Sequence, residues 1–147
     1  MVFRATCFRR AGSTGGTPFA SVELDAQNRH IRRKLITLRQ GDEVIVDFDK
    51  PVRLAHGDCL VLDDGRLVEV HAAEEELLEV RGRDRRHLVQ LAWHIGNRHL
   101  EAQIEPDRIV IRRDHVIAQM LEHRGAAVHD VSEPFSPEPG AYHSHDH

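Results

Sequence analysis

The chain offers little for a base to stack on: one Trp, one Tyr and five Phe are its only aromatic residues. Its formal net charge is -4 with histidine counted neutral, so the basic footprint that nucleic-acid binding draws on is missing too. Arg81, Arg83, Arg85 and Arg86 do gather, but within an acidic whole. No nucleic-acid partner is expected. No apolar run approaches the roughly 20 residues that a bilayer-spanning helix needs. Met1-Val2-Phe3-Arg4-Ala5-Thr6 lacks a charged flank leading into an apolar stretch, so it does not read as a signal peptide. No membrane contact is expected, and a cytoplasmic location is the default. Cysteine is scarce as well. Cys7 and Cys59 form no C-x-x-C pair and no disulfide framework, and each falls in an apolar run where a buried free thiol is expected. Catalytic signatures are missing: there is no H-E-x-x-H, G-x-S-x-G, P-loop or G-x-G-x-x-G. The chain does not read as an enzyme.

What the chain has in excess is histidine, 12 in 147 residues. His143-Ser144-His145-Asp146-His147 puts three imidazoles on alternate positions. An extended backbone sends alternate side chains to one side, so the three rings can converge on one cation. Neutral imidazole is a common ligand for Ni, Zn and Cu. A tag fragment or a solvated polar end is the plainer reading, but the interrupting Ser144 and Asp146 speak against a tag.

The pattern along the chain is α+β, a small N-terminal all-β domain followed by a ferredoxin-like βαββαβ domain and a flexible His-containing tail. Residues 1–73 read as short strands at regular spacing, a sandwich or barrel-like domain: Val2 to Phe8, Ile31 to Leu38, Glu43 to Phe48, Cys59 to Leu62 and Leu67 to Val70. Asp63-Asp64-Gly65 between the last two predicts a hairpin, and Pro51 punctuates the run before it. Glu74-Glu75-Glu76 reads as a solvated linker. Over 74–133 the period changes. Leu77 to Val80 is a strand, and Asp84 caps a helix carrying Leu88, Leu91, Ala92 and Ile95 at helical spacing. Gly96 stands where that helix would take a left-handed terminal residue. Two strands follow, joined at Pro106-Asp107. Asp114 then caps a second helix with Ile117, Met120 and Leu121, and Ala127 to Val131 is a last strand. The Pro-rich stretch from Pro134 predicts a semi-extended linker bearing the tail, 134–147.

Outside the tail the densest candidate is Trp93-His94-Ile95-Gly96-Asn97-Arg98-His99. His94 reads best as a favourable cation at a helix C-terminus. His99 follows the turn at the root of a strand and is a candidate ligand. His115 opens the second helix, where the dipole disfavours a protonated ring and so favours ligation; a surface histidine is the plainer reading of its position. His30, His56 and His71 read as surface residues. His87, His123 and His129 have no partner at ligand spacing.

Taken in order, these residues resemble the UreE family of urease accessory proteins, which are nickel metallochaperones. The resemblance rests on Gly96-Asn97-Arg98-His99 after a helix, Asp114-His115-Val116 at a helix start, and a His-containing tail. In the first half it rests on Arg33-Lys34, Arg39-Gln40-Gly41-Asp42-Glu43-Val44, His56-Gly57-Asp58 and Asp63-Asp64-Gly65. It covers almost the whole chain. The resemblance implies a homodimer joined through the ferredoxin-like domains, with His99 of each subunit holding one Ni2+ between the chains. It implies further ligands from His143, His145 and His147. Some members begin the second helix with two histidines at alternate positions; here Arg113 replaces one, leaving His115. Urease apoprotein and other urease assembly factors are the implied partners, with Zn2+ or Cu2+ as competing ions in vitro. Two other classes compete with this reading: a protein-binding chaperone module with incidental histidines, and a metal-dependent hydrolase, for which no general base is apparent.

Overall fold

The computed structural model describes residues 1–13 and 15–139. The chain divides into two compact units, Met1–Ala73 and the part from Glu74 on.

The first unit is a single six-stranded sheet: β1 (Val2–Arg9), β2 (Ala20–Leu24), β3 (His30–Thr37), β4 (Glu43–Arg53), β5 (Cys59–Leu62) and β6 (Leu67–Ala72). The strand order is β2-β6-β5-β1-β4-β3. β1 with β4 and β2 with β6 run parallel; the other pairs are antiparallel. Every strand contributes to one core, from Phe3 and Ala5 through Leu24, Ile36, Val46 and Leu60 to Val70, so the sheet curls around it. The Asp64-Gly65 turn joins β5 to β6, with Gly65 at φ 89.

Several details differ from the sequence reading. β2 is an additional strand. β4 runs on through Pro51, because the β3–β4 register shifts between Ile31 and Arg33 and the proline falls in that irregular stretch. Cys7 is exposed while Cys59 is buried. Strict alternation would turn Cys7 inward, but the β1–β5 register shifts after Ala5 and Phe8 takes the inward place.

The second unit carries β7 (Glu74–Arg81), α1 (Arg85–Asn97), β8 (Ala102–Ile104), β9 (Ile109–Arg112), α2 (His115–His123) and β10 (Ala127–Pro134). Its antiparallel sheet has the order β10-β7-β9-β8, which is the ferredoxin-like arrangement. Asp84 accepts the His87 N–H at 2.8 Å and Asp114 accepts those of Val116 and Ile117, so both predicted caps hold. Leu88, Leu91 and Ile95 of α1 and Ile117 and Leu121 of α2 bury against Leu78, Val80, Ile109 and Ile111. The triplet Glu74-Glu75-Glu76 opens β7 and pairs with β10; it is not a solvated linker. The proline-rich stretch also departs from expectation. Pro134 closes β10 opposite Glu74 and Phe135 is fully buried. No helix among the described residues is long and apolar enough to cross a membrane.

Candidate metal centre

The end of α1 shapes the centre. Arg98 caps the helix, the His99 N–H reaches back to the Gly96 carbonyl at 3.0 Å, and the Leu100 N–H to that of Ile95 at 3.4 Å. This is the paired closure that ends a helix on a left-handed residue. That residue is His99 itself, at φ 59, and it is the one non-glycine with positive φ among the described residues. Gly96 lies inside the last helical turn, so the left-handed role expected of it passes three positions on. His99 therefore precedes β8 in the helix-closing turn, short of the strand root. The left-handed basin costs an L-residue about 1–2 kcal/mol relative to the right-handed one.

The exposed His99 side chain faces a cleft of about 230 Å³. Leu100, Glu101, Arg112, Arg113 and Asp114 share its walls. The end of α1, the end of β9 and the start of α2 thus converge. Glu101 is held by Arg112 in an ion pair. Asp114 is occupied by the two N–H groups it caps. His115 is exposed as the first residue of α2, and its Nε2 accepts from the Gln119 side-chain amide at 3.3 Å. It adjoins Asp114 in the chain without lining the cleft itself. No group of three His, Cys, Asp or Glu poised to share an ion occurs among the described residues. His143, His145 and His147 lie outside the described residues.

Several other described histidines already have partners. In His87, Nδ1 accepts the Arg83 N–H at 2.9 Å and Nε2 donates to the Arg124 carbonyl at 2.8 Å, so neither nitrogen is left for an ion. In His56, Nδ1 accepts the Ala72 N–H at 3.1 Å, which leaves the neutral ring's proton on Nε2. His71 donates Nε2 to Glu69 at 2.6 Å, with its ring 5.3 Å from that of His56. His94 sits edge-on to Trp93. Burial first, then the positive charges of Arg124 and Arg98, hold its pKa below the usual imidazole value. These act against the helix dipole, which favours a cation at that end of α1.

Sequence reasoning missed Glu101, Arg112 and Phe135. The first two gave no motif; Phe135 alone carried a signal, as an apolar residue among prolines.

Comparison with known proteins places the chain in a family. The profile for the UreE urease accessory protein, C-terminal domain, matches residues 75–147, and that for the N-terminal domain matches residues 10–73. The urease accessory protein UreE of Rhizobium leguminosarum bv. trifolii is 58% identical over 142 residues, covering 97% of this chain and 74% of the relative. That of Agrobacterium fabrum is 52% identical over 144 residues, 98% of this chain and 89% of the relative. UreE 1 of Brucella suis biovar 1 is 57% identical over 142 residues, 96% and 88%. With both domain profiles matched in order and more than half the residues shared with these relatives along nearly the full length, the chain belongs to the UreE urease accessory protein family.

Proposed function

We propose that the chain is a nickel metallochaperone, which binds Ni2+ and delivers it to urease apoprotein together with the other urease assembly factors. Family membership gives the coarser part, an accessory role in urease assembly that is not enzymatic. His99 carries the metal reading. A residue kept in the left-handed basin, where glycine would sit without strain, and exposed at an open cleft is kept for its ring. One imidazole does not hold a cation. In a homodimer the same residue is presented twice across the two-fold axis, so His99 of both subunits supplies two nitrogens. His143, His145 and His147 add further nitrogens from the tail, and His115 serves an accessory position beside Asp114. Such a shell stays open enough to release its cargo. The same donors take Zn2+ and bind Cu2+ more tightly, so selection rests on geometry and supply.

The first unit would dock protein partners. β3 is a sheet edge with Arg32 and Leu35 exposed, which suits addition of an extended segment. A hydrolase reading lacks a free base at the cleft, since Asp114 caps α2 and Glu101 is held by Arg112.

The test is a calorimetric Ni2+ titration of wild type and His99→Ala at neutral pH. The wild type is expected to bind one ion tightly per two chains and the variant to lose that event. Equal binding by His99→Ala would end the assignment.

A further inference from the structure

We propose that the groove between α1 and the end of α2 is an anion site, which takes a phosphate group, free or carried on a small flat ring, between the guanidiniums of Arg83 and Arg124. The inference is independent of the metal reading, since the groove shares no lining residue with the His99 cleft.

The site is built on His87, which is only 5% exposed. Its Nδ1 accepts the Arg83 N–H at 2.9 Å and its Nε2 donates to the Arg124 carbonyl at 2.8 Å. One buried ring thus fastens the residue before the α1 cap to the residue that ends α2, and brings two arginines to one wall. Gly125 clears the place for the first of them. A Cβ there would run into the Arg83 guanidinium, and its φ of 87 already favours glycine. Arg124 acts across the groove on α1: after burial, its charge is the next cause that holds the His94 pKa down, ahead of Arg98.

The cavity measures about 690 Å³, the size of a small-molecule site. Among the described residues no carboxylate lines it, although the second unit as a whole has more acidic than basic side chains. Neither Arg83 nor Arg124 meets a carboxylate among the described residues, as Arg81, Arg108, Arg112 and Arg113 do. Like charges held together with no counter-charge are unfavourable. A phosphate between them removes that cost and accepts from two forks of N–H donors. His123 adds a ring nitrogen from α2. Trp93 and Val89, 65% and 63% exposed and one helical turn apart, form an apolar flank on α1. A flat ring joined to the phosphate would stack on the indole. The scarcity of aromatics that speaks against a nucleic-acid strand does not touch a single phosphate ester, which needs one stacking partner.

The experiment is an NMR titration of the metal-free full chain that follows the His94 ring and the indole of Trp93, the chain's one tryptophan. The probes are inorganic phosphate, adenosine and adenosine monophosphate at constant ionic strength. Arg83→Gln and Arg124→Gln each remove one guanidinium; both side chains are exposed, so neither change opens the core. Arg86→Gln removes an exposed charge of α1 outside the cavity. Adenosine monophosphate is expected to bind, phosphate to bind more weakly and adenosine not to bind. Each of the first two variants should weaken binding of the monophosphate about tenfold, and Arg86→Gln should leave it unchanged. A bound phosphate opposes the Arg124 charge, so the His94 ring should titrate at higher pH with the monophosphate than without it. Phosphate binding as tightly as the monophosphate supports the anion site and assigns it to the free ion. Adenosine binding as tightly as the monophosphate overturns it, because the phosphate then plays no part. An equal loss in Arg86→Gln also overturns it, because any surface charge would then serve. So does the absence of shifts with every probe.

Discussion

At the scale of single residues, His99 sets backbone strain against chemistry. Its ring is exposed and its φ is 59, so little packing offsets the left-handed basin. His99→Gly removes the strain and the imidazole together. We expect metal-free His99→Gly to be as stable as wild type or more stable by up to about 1 kcal/mol, read as a thermal midpoint in the presence of a chelator. A clear fall in stability would show that the ring serves the fold. A helix followed by Gly96-Asn97-Arg98-His99 was legible in the sequence; which of those residues takes the left-handed place was not. Glycine is the default choice for it, and the closing hydrogen bonds that select His99 depend on how the chain continues into Leu100 and β8.

Among elements, the polar face of the second unit's sheet is organised by Arg108. Its guanidinium meets Glu79 at 3.0 Å, Glu105 at 2.8 Å and Glu133 at 2.6 Å, tying β7, the turn before β9, and β10 together. Hydrogen bonding to Arg81, and next to Arg108, holds the Glu79 carboxyl below its ordinary value against the opposing effect of burial; Arg108 does the same for Glu105. Arg108→Met leaves three carboxylates facing one another without their shared cation. It should destabilise the protein by about 2 kcal/mol in urea unfolding at neutral pH. Carboxyls whose folded pKa is depressed stabilise above the unfolded value and lose that contribution as pH falls through the folded one. The gap between wild type and variant should therefore narrow below the ordinary Glu value of 4.5; a gap constant down to pH 3 would speak against the carboxylates as its cause. Only the Glu105–Arg108 pair, three residues apart, is local in sequence; Glu79 and Glu133 reach Arg108 from strands that pair only in the folded sheet, so the network as a whole was not visible along the chain.

For the whole molecule, metal and fold should be linked. On the proposed homodimeric site, an ion that binds the native state and not the unfolded chain stabilises by mass action, about 2.7 kcal/mol at a hundredfold excess over Kd. Added Ni2+ should raise the thermal midpoint of wild type, with a shift that grows with protein concentration, and should leave His99→Gly nearly unmoved. An equal shift in both would place the ion elsewhere. The sequence by itself determined whatever is written in local signals. These are the caps Asp84 and Asp114, the Asp64-Gly65 turn, the helical stripes of Leu88, Leu91 and Ile95 and of Ile117 and Leu121, and with them the β then βαββαβ order. Caps, turns and periodicities act within a few residues, so a linear reading sees them. Only tertiary structure decided that Cys7 faces out, that β4 runs through Pro51, that Glu74-Glu75-Glu76 opens a strand and that Phe135 is buried against Arg112. Each of these depends on register and contact between segments distant in sequence, where burial and pairing override what the local residues favour alone.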